Sequence, residues 1–394
     1  MAQRRQAVAN DSREKELIAG HQKTTYGQWL QRAGLPVVHG YGVEDVRQLE
    51  MAHWPRLGGK WGFIHLYGME GFTGMYVAEI PPGGALEPEH HLYEEVICIL
   101  EGNGATEIWQ EGGAKRIFEW GKGSLFSPPV NSWHRLLNGG REPVLLLAVT
   151  NAPLIMDIFH NTDFVLNCPY AFTDRYSGEE KYFSVGNKRY ELGRQHIWET
   201  NFIPDVQSAS LSERSIKGAG VQLTQFELSG NALIGHVAQW PAGRYHKVHY
   251  HGPGAILLGL QSSGYVLIWP KQAGIRPYEN GNSDQVVEVK WREGSVYCPP
   301  NDWFHQHFNT GSQAARHLAL RYGSRLFHLG FKVAGRIMTQ GKDEEPYTSV
   351  RKGGTLIEYE DEDPEIRRRY DEELKRTGVT SAMPEIRPSP SDSH

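Results

Sequence analysis

Cysteine is scarce in this chain. Its 394 residues hold three, Cys98, Cys168 and Cys298, far apart and with no CxxC pair. That excludes a disulfide framework and a zinc ribbon, and predicts buried thiols in a reducing compartment. Long apolar runs are absent as well: no 18 consecutive apolar residues occur, so no membrane-spanning helix is expected. The basic start, Met1 to Arg5, continues into polar residues and not into an apolar h-region, and the expected location is the cytoplasm. Positive charge is not in excess, with 41 Lys and Arg against 46 Asp and Glu and a net charge of -5, so there is no electrostatic footprint for nucleic acid. Glycine-rich stretches such as Gly252-Pro253-Gly254 lack the Lys-Ser/Thr ending of a phosphate loop, and no GxSxG elbow is present.

What the chain does have is an internal repeat. Val77-Ala78-Glu79-Ile80-Pro81-Pro82-Gly83 returns 160 residues later as Val237-Ala238-Gln239-Trp240-Pro241-Ala242-Gly243. In register, Glu89-His90-His91 faces His249-Tyr250-His251, and Trp109 faces Trp269. Pro128-Pro129, His134 and Asn138 then face Pro299-Pro300, His305 and Asn309 at an offset of 171, so the loop between Trp269 and Gly294 has gained eleven residues. One unit occurring twice is too few for a solenoid and fits two duplicated domains. The length prior of about 150 residues per domain agrees. Histidine is abundant, with 18 in the chain, and several hold fixed places in the repeat.

From Gly74 onward, short apolar runs such as Val96–Leu100, Pro143–Val149, Ala255–Leu260, Val266–Trp269 and His317–Leu320 alternate with Gly, Pro and Asn, the texture of an all-β sandwich or barrel. The expected organisation is an N-terminal arm over 1–60 with helical pattern near Gln28–Arg32 and Val43–Leu49, packed on a first barrel over 61–160. A linker with helical segments follows over 161–220, placed most clearly at Ser177–Gly218. The second barrel spans 221–335, and 336–394 holds a helix and a disordered tail from Arg387 to His394. Asp363-Pro364-Glu365 predicts the start of that helix, by N-cap, first-turn proline and acid at the positive dipole end. Ile366, Tyr370 and Leu374 share one face, and Gly378 closes it.

Alternate residues of a strand point to one side, so His249 and His251 look into one barrel and Glu89, His91 and Glu95 into the other. His305 and His134 would arrive from neighbouring strands. Buried imidazoles without partners cost about 1 to 3 kcal/mol per unpaired group, and a metal removes that cost. Unit two thus offers a neutral set, His249, His251 and His305. Unit one offers His91, Glu95 and His134, with Glu89 beside them, a mixed histidine and carboxylate set. Either is a candidate centre, and for either the plain alternative is a vestigial barrel lining. His90 and Tyr250 have outward parity. Trp303 and His307 have inward parity near His305. Arg321 is placed to anchor a substrate carboxylate, with an ordinary salt bridge as its alternative. Trp303, Phe304, Trp240 and Tyr245 are placed to wall an aromatic pocket, with plain core packing as theirs.

The spacing of Gly83, Glu89, His91, Glu95 and Gly102, then Gly123, Pro129, Asn131, His134 and Asn138, resembles the two motifs of the cupin superfamily. Glu89 stands for the first histidine of the first motif and Asn131 for the inner glycine of the second. Unit two repeats both motifs with Gly243, His249, His251, Ala255 and Ser262, then Gly294, Pro300, Asp302, His305 and Asn309. The likeness covers roughly 70–155 and 230–325. It implies two tandem double-stranded β-helix (jelly-roll) barrels with flanking helices, and Asn131 and Asp302 tolerate the left-handed turn in place of glycine. Among cupins, the three-histidine set without the glutamate looks like the gentisate 1,2-dioxygenase group. That resemblance implies an iron(II) enzyme cleaving a hydroxylated aromatic acid with dioxygen. His249, His251 and His305 would hold the metal, His307 and Arg321 act on bound substrate, and Trp303, Arg321 and Tyr245 line its site. In that group the working site lies in the first barrel, whereas here the three histidines are in the second. Manganese, zinc or nickel are the alternatives to iron, with redox-neutral lyase, decarboxylase or isomerase chemistry at unit one. A binding barrel resembling seed globulins is the non-enzymatic alternative. Expected partners are a small molecule and dioxygen, without nucleic acid or membrane, in an even homo-oligomer paired through exposed sheet edges.

Overall fold

The structure, a computed structural model, describes residues 11–184, 188–192, 195–213, 217–218, 220–252, 254–327 and 348–385. The tail from Arg387 lies outside this set. Two β barrels follow one another, each made of a long sheet and a short one. In the first, the long sheet runs Val37–Gly40, Lys60–Leu66, Gly74–Ile80, Val144–Thr150, Glu95–Glu101, Leu125–Phe126, Phe202–Ile203. The short sheet is Trp133–Leu137, Asn103–Trp109, Arg116–Gly121. The second barrel repeats the plan. Its long sheet is centred on Gln222–Leu228, Leu233–Trp240, Ala315–Tyr322 and Ile256–Gln261, and its short sheet on Val287–Arg292, Ser263–Trp269 and Phe304–Asn309.

The central strand Val144–Thr150 of the first long sheet is buried at every position because both its faces are covered. In Val144–Thr150, Leu145, Leu147 and Val149 belong to a core shared with Ile256, Leu258, Leu318 and Leu320 of the other barrel. The alternate residues Val144, Leu146 and Ala148 fill barrel one with Ile97, Ile99 and Phe126. Cys98 and Cys298 lie in the shared core, and Cys168 is buried too. The turns that replace glycine keep its conformation: Asn131 has φ 57° and Asp302 φ 58°. Ser262, opposite Gly102 in the repeat, does the same at φ 74°.

Two segments expected to be peripheral are woven into the barrels. Residues 37–40 of the arm pair in parallel with Phe63–Leu66 of barrel one, but Gly42 and Val43, past Tyr41, pair with Tyr297 and Val296 of barrel two. In exchange, Phe202 and Ile203 from the linker pair with Phe126 and Leu125 of barrel one. The described part of 177–218 holds strands, Lys188–Leu192 and Gln195–Thr200 among them, and no α-helix. The helices of the region lie earlier, at Ala152–Phe159 and Thr162–Asn167. The polar residues of that linker make cross-strand pairs on an edge ribbon: Lys188 lies opposite Glu199, and Arg189 covers the ring of its partner Trp198 at 5.0 Å. The hairpins also interlock. The turn at Tyr67–Thr73 meets barrel two through Gly254 N to Gly68 O at 2.9 Å and Tyr322 Oη to Phe72 O at 2.7 Å. The equivalent turn of barrel two gives the N–H groups of Ala232 and Leu233 to the carboxylate of Glu94, each at 2.8 Å.

The C-terminal helix, Pro364–Thr377, buries Ile366, Tyr370 and Leu374 on barrel two, capped by Asp363 and ended by Gly378 at φ 72°. Beneath it, the buried carboxylate of Glu362 accepts from Tyr245 and, at 3.0 Å, from Gln306. Burial outweighs these two donors and Arg367, and with Asp363 it lifts the Glu362 carboxyl from 4.5 to about 7. A folded-state pKa above the unfolded one means stability that is complete below pH 4.5 and is lost as pH rises to about 7. The loss is expected to reach roughly 3 kcal/mol. Urea unfolding at pH 5 and pH 8 should show this drop in the native chain and not in Glu362→Gln; equal drops in both would refute it.

Candidate metal centres

In barrel one the chain before strand Glu95–Glu101 lies along Trp133–Leu137. Glu89 and His134 exchange backbone hydrogen bonds, both 2.9 Å, which sets their side chains next to one another. His91, two residues on, shares the face of Glu89, and Glu95 has the parity of the interior residues Ile97 and Ile99. One ligand atom each from Glu89, His91 and His134 lies within 4.8 Å of the others. Glu95 Oε2 is 3.7 Å from His91 Nε2 and 3.6 Å from His134 Nε2. All four atoms, Glu89 Oε2, His91 Nε2, Glu95 Oε2 and His134 Nε2, are buried without a hydrogen-bond partner. Unpaired buried groups of this kind each cost about 1 to 3 kcal/mol, and a cation bound among them would remove that cost.

The second atom of His91, His134 and Glu95 is already committed. His91 Nδ1 meets the Tyr93 carbonyl oxygen at 2.8 Å and His134 Nδ1 that of Ser132 at 3.0 Å. A carbonyl only accepts, so Nδ1 carries the proton and Nε2 offers its lone pair inward. The Tyr76 hydroxyl donates to Glu95 Oε1 at 2.5 Å, leaving Oε2 to face the imidazoles. Burial disfavours the Glu95 carboxylate, yet His134 and His91 hold its pKa well below the usual range. Burial likewise opposes the His134 imidazolium, and Glu95 with Glu89 outweighs it and raises that pKa. Tyr76 and Tyr93 stay protonated, pushed up first by burial and then by Glu95 and Glu89. Tyr93 stacks on His91 with ring centroids 3.6 Å apart. Removing the hydroxyl in Tyr76→Phe should weaken metal binding in barrel one about 10- to 100-fold, as loss of an outer partner does. Metal-competition titration measures this; unchanged affinity would show that Glu95 needs no such restraint.

Barrel two brings its three histidines together as well. His249 lies opposite His305 on paired strands, and ligand atoms of His249, His251 and His305 lie within 4.8 Å of one another. Their Nδ1 atoms meet the carbonyl oxygens of Lys247, Gly252 and Trp303 at 3.0, 2.9 and 3.1 Å. His305 Nε2 is buried without a partner. Ala255 stands buried where barrel one has Glu95. Burial, then neighbouring imidazoles, hold His249 and His305 well below the ordinary histidine pKa. Burial takes His251 to about 4, against its bond to Gly252 and with the charge of Arg321. All three are neutral at pH 7, as ligation requires.

Of the other sequence candidates, His307 is interior, its ring 5.4 Å from His305, and its Nδ1 meets the Tyr297 hydroxyl at 2.8 Å. That hydroxyl also meets His317 Nδ1 at 3.0 Å. Arg321 is close enough to act on His251. Trp303 is half-buried and packs beside Tyr41, ring centroids 6.1 Å apart. Tyr245 was expected to line the substrate site and does not: it is fully buried opposite Phe308, against Tyr370 of the C-terminal helix. Phe304, Gln306 and Phe308 alternate with His305 and His307, so Tyr245 lies on the outer side of that sheet. Phe304 and Phe308 fill the core under the helix, while Trp240 is buried within barrel two against His246 and His317. His90 and Tyr250 point away from the centres, to Asn131 Oδ1 at 3.0 Å and to Lys271, whose Nζ lies 3.5 Å from the ring centroid. The sequence reading missed Tyr76, Tyr93, Arg56, Tyr297 and His317. Only His317, inward by parity in an apolar strand, left a signal.

Residues 76–150 match the family model described as the cupin domain, and the second barrel repeats the strand order and ligand positions of that stretch. The fold is two tandem β barrels of one plan, and the cupin match falls on the first of them. An L-ectoine synthase from Bordetella petrii is 30% identical over 88 residues, which is 22% of this chain and 63% of the synthase, so the chain spans less than two thirds of that relative. Among solved structures, a variant of Bacillus subtilis oxalate decarboxylase aligns with TM-score 0.46 and 13% identity over 72% of this chain and 78% of that one. A formate complex of Lactobacillus farciminis oxalate decarboxylase aligns with TM-score 0.46 and 11% identity over 72% and 87%. Among the described residues no helix is long and apolar enough to cross a membrane. Both barrels thus present a group of side chains that could hold a metal at the same place in the repeat, one group with carboxylates and the other without.

Proposed function

We propose that this protein is a metal-dependent enzyme whose working centre is Glu89, His91, Glu95 and His134 of the first cupin barrel, with redox-neutral chemistry of the lyase, decarboxylase or isomerase type. The observation that carries this reading is a set of four buried ligand atoms without hydrogen-bond partners, those of Glu89, His91 and His134 within 4.8 Å of one another and that of Glu95 beside both imidazoles. A divalent ion bound there would supply Lewis-acid polarisation of a substrate oxygen. Glu89 and Glu95 bring two negative charges, a donor set that suits hard ions such as manganese. The residues around the centre keep it in shape: backbone carbonyls fix both imidazole tautomers, and Tyr76 holds Glu95 to one inward oxygen.

A second reading keeps the three histidines of barrel two as an iron(II) centre acting with dioxygen on a hydroxylated aromatic acid. It is favoured by Ala255, which leaves space and no charge where the other barrel has Glu95. The two readings part on oxygen. The protein, reconstituted with manganese or with iron, would be offered a panel of small organic acids including gentisate and salicylate, under argon and under air. Turnover that is equal in both atmospheres, best with manganese and without oxygen uptake, is the expected result. Oxygen consumed in step with product would sink the redox-neutral reading and favour barrel two.

A further inference from the structure

We infer that Arg56 reads the substrate of the barrel-one centre, and that this substrate carries a carboxylate group. The inference rests on the barrel-one reading above. Arg56 comes from the N-terminal arm, in the turn between Ala52–His53 and Lys60–Leu66, outside both repeated units. That turn is held firmly. Gly58 N donates to Trp54 O at 2.7 Å, Trp61 Nε1 to Gly58 O at 2.6 Å, and Glu87 N to Leu57 O at 2.8 Å, the last tying it to the segment that carries Glu89. The side chain leans on Trp54, its Cζ 5.6 Å from the ring centroid, and Trp54 is itself braced by Trp29, Trp61 and Phe63.

So placed, the guanidinium is left half satisfied. Nη2 lies 3.9 Å from Glu89 Oε2, too far for a hydrogen bond, and Nη1 is buried with no partner. Glu89 is the one acid within 4.0 Å of Arg56 among the described residues, and its Oε2 belongs to the ligand set. An ion at that site takes this oxygen and leaves Arg56 without an acceptor at the edge of the centre. The charges make the same point. Glu89 and Glu95 offset a divalent ion, and Arg56 adds one positive charge, which a singly charged anion completes. A guanidinium presents two parallel N–H donors that match the two oxygens of a carboxylate, so a substrate acid can meet Arg56 while another of its oxygens faces the ion. The side chain is about one-third exposed, 32%, which leaves that edge open to an entering molecule.

The test is calorimetric titration of the manganese-loaded protein with glycolate, with its uncharged isostere glycolamide, and with inorganic phosphate, on the native chain, Arg56→Met and Arg56→Lys. The native protein should bind glycolate at least about tenfold more tightly than glycolamide or phosphate. Arg56→Met should lose about 10- to 100-fold in glycolate affinity, the range for a charged hydrogen bond, with glycolamide affinity and manganese content unchanged. Arg56→Lys should recover part of the loss, since it restores the charge without the fork. Equal preference for glycolate in the native chain and Arg56→Met, with manganese retained, would overturn the role of Arg56 alone. Tighter binding of phosphate than of glycolate would overturn the carboxylate. A native protein that holds no manganese in barrel one would overturn the proposed function as well.

Discussion

His91→Ala is expected to lose the metal of barrel one and all measurable turnover, while His249→Ala keeps both. Loss of a ligand atom should weaken metal binding far beyond the 10- to 100-fold of an outer partner. The variant also leaves Glu89 and Glu95 buried with one imidazole between them. Breaking a buried charged set by removing one member costs about 3 to 5 kcal/mol, so the metal-free variant should melt well below the metal-free native protein. Elemental analysis, melting curves with and without chelator, and turnover give three readouts from one preparation. His91→Ala retaining full activity, with His249→Ala inactive, would place the working centre in barrel two.

The second large effect is expected at Gly68, and it concerns how the barrels are joined. A Cβ at this position would lie 2.3 Å from the carbonyl oxygen of Cys298 and 2.5 Å from that of Pro299, both backbone atoms that have nowhere to go. Gly68→Ala should therefore unseat the Tyr67–Thr73 turn from barrel two and destabilise the protein by about 3 kcal/mol or more, the upper range for overpacked sites. Gly71, three residues on in the same turn, is the control. It has φ 76° with nothing within 4 Å of an added Cβ, so Gly71→Ala meets only the left-handed conformation, about 1 to 2 kcal/mol. Denaturant unfolding of the pair separates contact from conformation. A Gly68→Ala protein as stable as Gly71→Ala would show that the turn is free to move.

Much of this architecture could be read from the chain because duplication leaves a regular trace. Ligands two residues apart on a strand, a third histidine at a matching offset, and Asn131 and Asp302 at glycine positions of the turn are all local patterns. The C-terminal helix was legible for the same reason, through Asp363, Pro364 and Gly378. What could not be read depends on contacts distant in sequence. Tyr245 looked like a pocket residue until its hydroxyl found Glu362, 117 residues later. Tyr76 matters through Glu95, 19 residues on in the next strand, and no periodicity marks that bond. Arg56 sits in an arm that carries no repeat. The polar segments Lys188–Leu192 and Gln195–Thr200 have the composition of a solvated helix, and only their pairing with each other and, for the second, with Gln222–Leu228 makes them strands. The sequence favoured barrel two over barrel one, because Ala255 opens space beside its three histidines and inward parity puts Trp303 and His307 near His305. Four unpaired atoms in barrel one reverse that order in the proposed function.

The strands exchanged at 42–43 and 202–203 bear on how the gene can change. A break in the chain near 170–176 would yield two fragments, each missing an edge strand that the other carries. Apart, they would expose unpaired backbone along Leu125–Phe126 and Val296–Tyr297, which is a template for aggregation. Together, they can complete one another. Fission of the gene is therefore tolerable only if both products are made side by side, and neither half can be moved alone into another protein as a free-standing module.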